Sequence, residues 1–340
     1  MTQLDLSDPG WFPVDYLLHI DQFRVMLLDV DAIGDSSFLD RRLQVNDAEE
    51  VFIDAEGLRV TAPAYPPAFV FHTAFCGSTL LARALHAPPL HVSLKEPSVL
   101  LSLSSASLAE TTAIDTQRID HRLDSAIALL ARSWTPGGRV LIKPTNQANR
   151  LIERILQNQP ASRAILLSSS LEEFVVSCFK KLPVAETRIR WMAQHLLAGS
   201  ELAARLGIPA NYNFSLPESC VFTWYAQMER FARVLDGDGG DRLRTLDLQT
   251  MLAAPVACVT AAAAWLDLQS PPQALAERVA GVFQRDSKTP QRAYSHGQRE
   301  LEKAAVQVRF GEVIGRTLEW ARTSIEPHAR LPMHGKALRL

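Results

Sequence analysis

Four short apolar runs, each followed by a segment of helical period, set the frame of this chain. AFVF (68–71) precedes a helix over 78–86, and RVLI (139–142) precedes one near 146–157. RAILL (163–167) precedes a helix over 172–181, and RLRTLDL (242–248) precedes an Ala-rich one around 255–266. Turn or cap residues bound each run. Short apolar runs alternating with helical segments predict an α/β fold with a mostly parallel sheet. In the first helix Leu80, Leu81, Ala84 and Leu85 share one face and form its buried stripe.

Between the third and fourth runs the pattern is helical throughout, over about 186–236. In VFTWYAQMERFARVLD (221–236), Phe222, Tyr225, Met228, Ala232 and Leu235 fall on one face, and 189–205 is similar. Such an insertion is expected to wall or cover a site at the C-terminal ends of the strands, where open α/β sheets bind ligands. TAPAYPP (61–67) marks a boundary, because prolines stop regular structure. The chain therefore divides into an N-terminal accessory segment, 1–66, and an α/β domain, 67–340. Residues 1–60 carry no motif.

Composition alters this picture little. Net charge is −2 over 340 residues, so any anionic ligand must be met by a local basic group rather than by the overall field. Neither nucleic acid nor a membrane surface is indicated as a partner. Four scattered cysteines without a CxxC pair argue against a disulfide framework or a Cys-rich zinc site. The acidic start, MTQLDLSDPGWF, lacks an apolar signal core, and no run reaches the ~18 apolar residues of a membrane span. A cytoplasmic protein with reduced thiols is expected.

The candidate chemistry starts in AFVFHTAFCGSTLLARAL (68–85). Gly77 permits close approach of the backbone, Ser78 and Thr79 add hydroxyls, and the amides around Cys76 to Thr79 sit at a helix N-terminus. That makes an anion cradle, most naturally for phosphate. The same tripeptide serves equally as a turn and a helix cap.

Three further blocks bring a family into view. The loop Ala74-Phe75-Cys76-Gly77-Ser78-Thr79 resembles the Pro-Lys-Ser-Gly-Thr-Thr loop with which sulfotransferases grip the 5′-phosphosulfate of 3′-phosphoadenosine 5′-phosphosulfate. Phe75 stands where that family has its lysine. VLIKPTN (140–146) resembles the strand ending in Lys-Thr-His: Lys143 matches, and Thr145 takes the place of the catalytic histidine. RAILLSSSLEEFVVSCFKK (163–181) resembles the strand-loop-helix that binds the 3′-phosphate through an arginine and, eight residues on, a serine. Ser177 matches, Ser169 replaces the arginine, and Lys180 or Lys181 can supply the lost charge. In FQRDSKTPQRAYSHGQ (283–298), Lys288 sits where the family has a basic loop over the 3′-phosphate.

The resemblance spans about residues 67–300 and implies a three-layer sandwich of P-loop, sulfotransferase-like type. It also implies a sulfotransferase using 3′-phosphoadenosine 5′-phosphosulfate, with no metal, on a hydroxyl or amine of a small molecule or modified biomolecule. The cofactor-binding set is then Phe75, Cys76, Gly77, Ser78, Thr79, Ser169, Ser177 and Lys288. The catalytic set is Lys143, Glu96 and His72: Lys143 meets developing negative charge, and Glu96 or His72 takes the acceptor's proton. Glu96, some seventeen residues after the cradle in SLKEPSVL, is expected to have a raised pKa in an apolar site. Its neighbour Lys95 is an alternative cation for the donor.

Two other readings stay open. A nucleotide-dependent small-molecule kinase needs a G-x-x-x-x-G-K-[ST] loop and an acidic magnesium ligand. A catalytically silent nucleotide-binding protein on the same fold is suggested by the absent loop lysine, histidine and arginine. Cys76 opens a thiol-nucleophile reading, opposed by Arg83, which falls inside the helix and points away from the loop. Neither the acceptor nor the oligomeric state is legible.

Overall fold

The computed structural model describes residues 4–40, 42–43, 48–110, 112–268, 270–286, 296–332 and 334–340. Its strands form two sheets. The first is antiparallel, in the order β1 (Trp11–Leu17), β2 (Gln22–Leu27), β3 (Glu50–Asp54). The second contains β4 (Ala68–His72), β5 (His91–Lys95), β6 (Arg139–Lys143), β7 (Ala164–Ser168) and β8 (Leu243–Asp247), in the order β5-β6-β4-β7-β8. Every adjacent pair in it is parallel.

The helices run in chain order. The first half contains α1 (Val30–Asp35), α2 (Ser78–Ala84), α3 (Ser98–Ala106), α4 (Ala113–Leu130), α5 (Ile152–Asn158) and α6 (Leu171–Lys180). The helical insertion contributes α7 (Val184–Leu197), α8 (Glu201–Arg205) and α9 (Leu216–Asp236). After β8 come α10 (Leu248–Ala253), α11 (Pro255–Trp265), α12 (Pro272–Phe283) and α13 (His296–Trp320).

Alternation within the parallel strands builds a core on each face. Phe69 and Phe71 of β4 join Val92, Leu94 and the helices α3 to α5 on one side. Val70 joins Leu141, Ile165 and Leu167, with α2, α11 and α12, on the other. Successive strand residues point to opposite faces, so strands covered on both faces read as continuous apolar runs. The result is the expected three-layer α/β sandwich with a parallel centre.

The N-terminal sheet packs into the first of these cores: Trp11, Phe12 and Phe23 belong to the same buried cluster as Phe69 and Phe71. Pro13 and Asp15 break the alternation of β1, and the register shifts between them. That irregularity hides the strand from a reading of pattern alone. β5 is hidden for another reason. HVSLK alternates apolar with polar residues, yet all five are buried.

The sheet order places the functional end. The chain leaves β4 towards β5 on one side, while β7 and β8 extend the other. The C-terminal end of β4 is thus a switch point, where a crevice opens between diverging connections. Among the described residues, no helix is long and apolar enough to cross a membrane.

Candidate functional site

Five residues, 73 to 77, turn the chain from β4 into α2. Ala74, Phe75 and Gly77 all have left-handed backbones, with φ of 73°, 53° and 77°. Such a turn costs on the order of 1 kcal/mol at each non-glycine position, so other contacts must hold it. His72 supplies one: its Nδ1 accepts the Ala74 N–H at 3.1 Å. Thr73 N–H, donating to Leu167 O at 3.2 Å, supplies another. The cap position of α2 is Gly77, so Ser78 does not act as the cap. The first α2 amide to find an intrahelical carbonyl is that of Leu81, which donates to Gly77 O at 3.1 Å. Gly77, Ser78, Thr79 and Leu80 line a cleft of about 480 Å³.

The two residue sets named in the sequence part company here. Phe75, Gly77, Ser78, Thr79, Ser177, His72 and Glu96 line the cleft. Cys76 does not. Its thiol is buried and faces Leu167 O at 3.4 Å, and burial pushes its pKa up to about 11. It contributes only main chain to the loop, and a thiol held protonated is no nucleophile. Ser169 is buried behind the cleft, where its carbonyl accepts from Trp224 Nε1 at 2.9 Å, and its hydroxyl does not line the ligand space. The cap of α6 is the next residue, Ser170, which accepts from the Glu173 amide. Lys288 lies outside the described residues.

Lys143 corrects the sequence reading most sharply. It ends β6 beside the cradle, as expected, but its side chain is wholly enclosed and does not line the cleft. Its ammonium donates to Glu96 Oε1 at 2.7 Å and lies 3.3 Å from His72 Nε2. Burial alone pushes the Glu96 carboxyl up. The Lys143 ammonium, with Arg188 and Arg42 further off, outweighs burial and holds Glu96 below the usual carboxylate range. The expected upward shift is therefore reversed. Glu96 is also fixed by its backbone, with φ of 56° and its N–H on Lys143 O at 2.7 Å.

Both nitrogens of His72 are engaged. Nδ1 accepts from Ala74, so Nε2 carries the hydrogen and donates to Pro144 O at 3.1 Å. A histidine held in this way braces the loop. Lys95 points elsewhere altogether: its ammonium is buried and donates to Ile33 O and Gly34 O, at 2.9 and 2.8 Å. It does not line the cleft. Arg83 turns away from the loop, as expected, onto Ser37 Oγ at 2.9 Å.

The positive charge of the cleft comes from helices and the segments just after them. Lys180, Lys181, Arg188, Arg285, Arg299 and Lys303 line it, against the carboxylates Glu96, Glu173, Asp286 and Glu302. Glu96 is neutralised by Lys143, which leaves the wall net positive. Lys180 pairs with Glu302, and Arg299 lies 3.3 Å from Glu173. Lys181 stands over the Phe75 ring, its ammonium 4.1 Å from the centroid. Where the loop has an aromatic ring, a lysine from the end of α6 is thus brought to the cradle by cation–π attraction.

Helix α9 clamps the strand ends from above. Gln227 Nε2 donates to Thr73 O at 3.1 Å, and its Oε1 accepts from Asn146 and Asn149, at 3.2 and 3.1 Å. Asn149 Nδ2 also donates to His72 O at 3.0 Å. A capping box of Ser215 and Glu218 starts this helix, and most of its side chains up to Leu235 are buried.

No family model and no curated relative matches the chain by sequence. Among solved structures it is similar to the sulfotransferase domain from the curacin biosynthetic pathway, at 13% identity and a TM-score of 0.44 over 74% of this chain and 99% of that one. It is also similar to the sulfotransferase STF9 from Mycobacterium avium, at 13% identity and 0.41 over 75% and 77%. A sulfotransferase from Alicyclobacillus acidocaldarius gives 17% identity and 0.40 over 76% and 99%. At such identities the roles of individual residues do not transfer.

Several lining residues carry no sequence signal. Phe38 comes from the N-terminal segment and lies under the Arg42 guanidinium, 3.6 Å from its ring centroid. Arg42 in turn stands 3.8 Å from Glu96. Arg299 and Lys303 come from α13, far along the chain. Helix period alone can flag such cations as a face but cannot aim them at a loop some 220 residues earlier. Among the described residues, no group of three or more His, Cys, Asp or Glu side chains is placed to hold a metal ion.

Proposed function

We propose that this protein is a sulfotransferase, moving a sulfuryl group from 3′-phosphoadenosine 5′-phosphosulfate to a hydroxyl or amine of an acceptor. The observation that carries this reading is the pairing of the Gly77–Thr79 cradle with the Lys181 ammonium over Phe75, in a net-positive cleft. Together they favour a compact, multiply charged anion at the end of β4.

The main-chain amides of 75–79 and the hydroxyls of Ser78 and Thr79 hold the phosphosulfate, helped by the positive end of α2. In-line transfer places new negative charge on the oxygen bridging to the leaving nucleotide. Lys181 and the cradle amides oppose that charge. Ser177, Arg299 and Lys303, on the side of β7 and β8, suit the remaining phosphate of the nucleotide. Glu96 lies on the side of β5 and β6 and orients the acceptor as an ionised hydrogen-bond acceptor. Lys143 serves by keeping that carboxylate charged and in place.

Calorimetric titration with adenosine 3′,5′-bisphosphate tests the reading. Binding that weakens about tenfold or more in Lys181→Ala is the expected result, since charge-assisted contacts are worth ~1.5–3 kcal/mol. Absence of binding to the intact protein rejects it. A second reading, a nucleotide-binding protein without turnover, is favoured by the engagement of both His72 nitrogens. It is separated from the first by assaying sulfuryl transfer once binding is established.

A further inference from the structure

The N-terminal ends of the parallel strands carry a second cavity, at the opposite end of the sheet from the cleft. Its volume is about 330 Å³, within the ~300–1,000 Å³ usual for small-molecule sites. Most of its wall is apolar, with Pro66, Pro67, Val140 and Leu268 among the lining residues. Its polar side chains, among the described residues, are Arg139, Arg163 and Asp267. A mostly apolar wall with a few convergent charged groups is the make-up of a ligand site rather than of a solvated crease.

Sheet order brings the two arginines together. Arg139 opens β6 and Arg163 immediately precedes β7, and these two strands flank β4. The sheet fixes both main chains: Arg139 N–H donates to Leu90 O at 2.9 Å, and Arg163 O accepts from Phe69 N–H at 3.0 Å. Aromatic rings hold both guanidiniums. That of Arg139 lies 3.8 Å from the Tyr65 ring centroid, and that of Arg163 lies 5.0 Å from the Trp265 centroid. Arg163 Nη1 also donates to Trp265 O at 3.2 Å, and Trp265 is anchored in turn by its Nε1 on Ala164 O at 3.1 Å. Arg244 stands over the same Trp265 ring, 3.9 Å from the centroid.

The charges do not balance. Arg139 pairs with Asp267 at 2.8 Å. Among the described residues, neither Arg163 nor Arg244 has a carboxylate within ion-pair distance. Two guanidinium charges beside the cavity are therefore left to solvent or to a ligand.

We infer that this cavity binds a small phosphate monoester. At pH 7 such a group carries close to two negative charges and three strong acceptor oxygens. Arg163 and the donors of Arg139 not engaged by Asp267 meet them with planar forks suited to phosphate. A carboxylate brings only one charge, which Asp267 already supplies. The apolar wall takes the organic part of the ester, for which a bare phosphate has no use. Because the cavity lies at the far end of the sheet, this inference does not rest on the sulfotransferase reading.

The test is calorimetric titration of the full chain with glycerol 3-phosphate, and separately with inorganic phosphate. Arg163→Ala and Arg139→Ala are each expected to weaken ester binding about tenfold or more. Arg163→Lys keeps the charge without the fork, so it should fall between Arg163→Ala and the wild type and guards against misfolding of the alanine variant. Asp267→Asn removes the competing carboxylate and should tighten binding about twofold to fivefold. Lys181→Ala, in the other cleft, should leave it unchanged. Absence of saturable binding, or equal affinity across the arginine and aspartate variants, overturns the site. A loss in Lys181→Ala with none in the arginine variants moves the ester to the cleft and overturns it as well. Inorganic phosphate binding as tightly as the ester overturns the choice of a monoester.

Discussion

The Lys143 ammonium and the Glu96 carboxylate meet at 2.7 Å, with the lysine wholly enclosed. Charges taken out of water are tolerated only in company, so removing one partner strands the other. Lys143→Met leaves Glu96 without its main counter-charge, and Glu96→Gln leaves Lys143 without one. Each is expected to cost about 3–5 kcal/mol in urea unfolding. The double variant should cost clearly less than the two together, giving a coupling within the ~0.5–3 kcal/mol seen for residues in contact. Additive losses would show that the pair is not coupled.

A second enclosed lysine makes stability depend on pH. Burial, then the Arg83 guanidinium, holds Lys95 down to about 7 from its usual 10.5, against the pull of Asp35. Between those values the unfolded chain keeps the proton that the folded chain has released. Stability from this group therefore rises with pH across that window and is at its lowest, and flat, below about 7. The limiting slope is ~1.4 kcal/mol per pH unit. Chemical denaturation of the wild type and Lys95→Met at pH 6, 8 and 9.5 reads the difference directly, cancelling groups common to both. Parallel curves would contradict it.

What the sequence disclosed and what it concealed follows from this physics. Strands β4, β6 and β7 were legible because strands covered on both faces favour apolar runs, while the half-buried edge strand β8 showed through its spaced leucines and the helix that follows. β5 was not, because His91, Ser93 and Lys95 look solvent-facing yet are buried, His91 and Lys95 with side-chain partners inside. The cradle was legible because Gly77 and two hydroxyls are consecutive in sequence. The fate of Lys143 was not. Position at a strand end says where an ammonium starts, whereas the left-handed turn at Glu96 decides what it meets. The cations of α13 and the wall residue Phe38 reach the cleft only through tertiary packing, and no spacing rule encodes that.

Gln227 ties the insertion to the loop. In Gln227→Leu, Thr73 O loses a donor, and the amides of Asn146 and Asn149 lose their shared acceptor inside the protein. Each buried group left unmatched costs about 1–3 kcal/mol. A loss of at least ~2 kcal/mol is expected by thermal or urea unfolding, together with weaker binding of adenosine 3′,5′-bisphosphate as Thr73 loosens. Gln227→Glu keeps the acceptor for both asparagines but sets an unpaired carboxylate, out of water, against Thr73 O and Thr223 O, so it should cost more than the leucine variant. A glutamate variant more stable than the leucine one would overturn that order.

Phe75 precedes Cys76 in the loop, and the Lys181 ammonium lies over its ring. If the ring's role is to hold that charge at the cradle, its π-face matters more than its bulk. Phe75→Tyr should then bind adenosine 3′,5′-bisphosphate as the wild type does. Phe75→Leu keeps an apolar contact with Phe174, whose ring centroid is 5.5 Å from that of Phe75, but removes the π-face beneath the Lys181 ammonium. Cation–π contacts of this kind are worth ~0.5–2 kcal/mol, so affinity should fall about twofold to thirtyfold. The loss should also be absent from a Lys181→Ala background, where there is no ammonium left to hold. A leucine effect that persists in that background would assign Phe75 to packing of the loop alone.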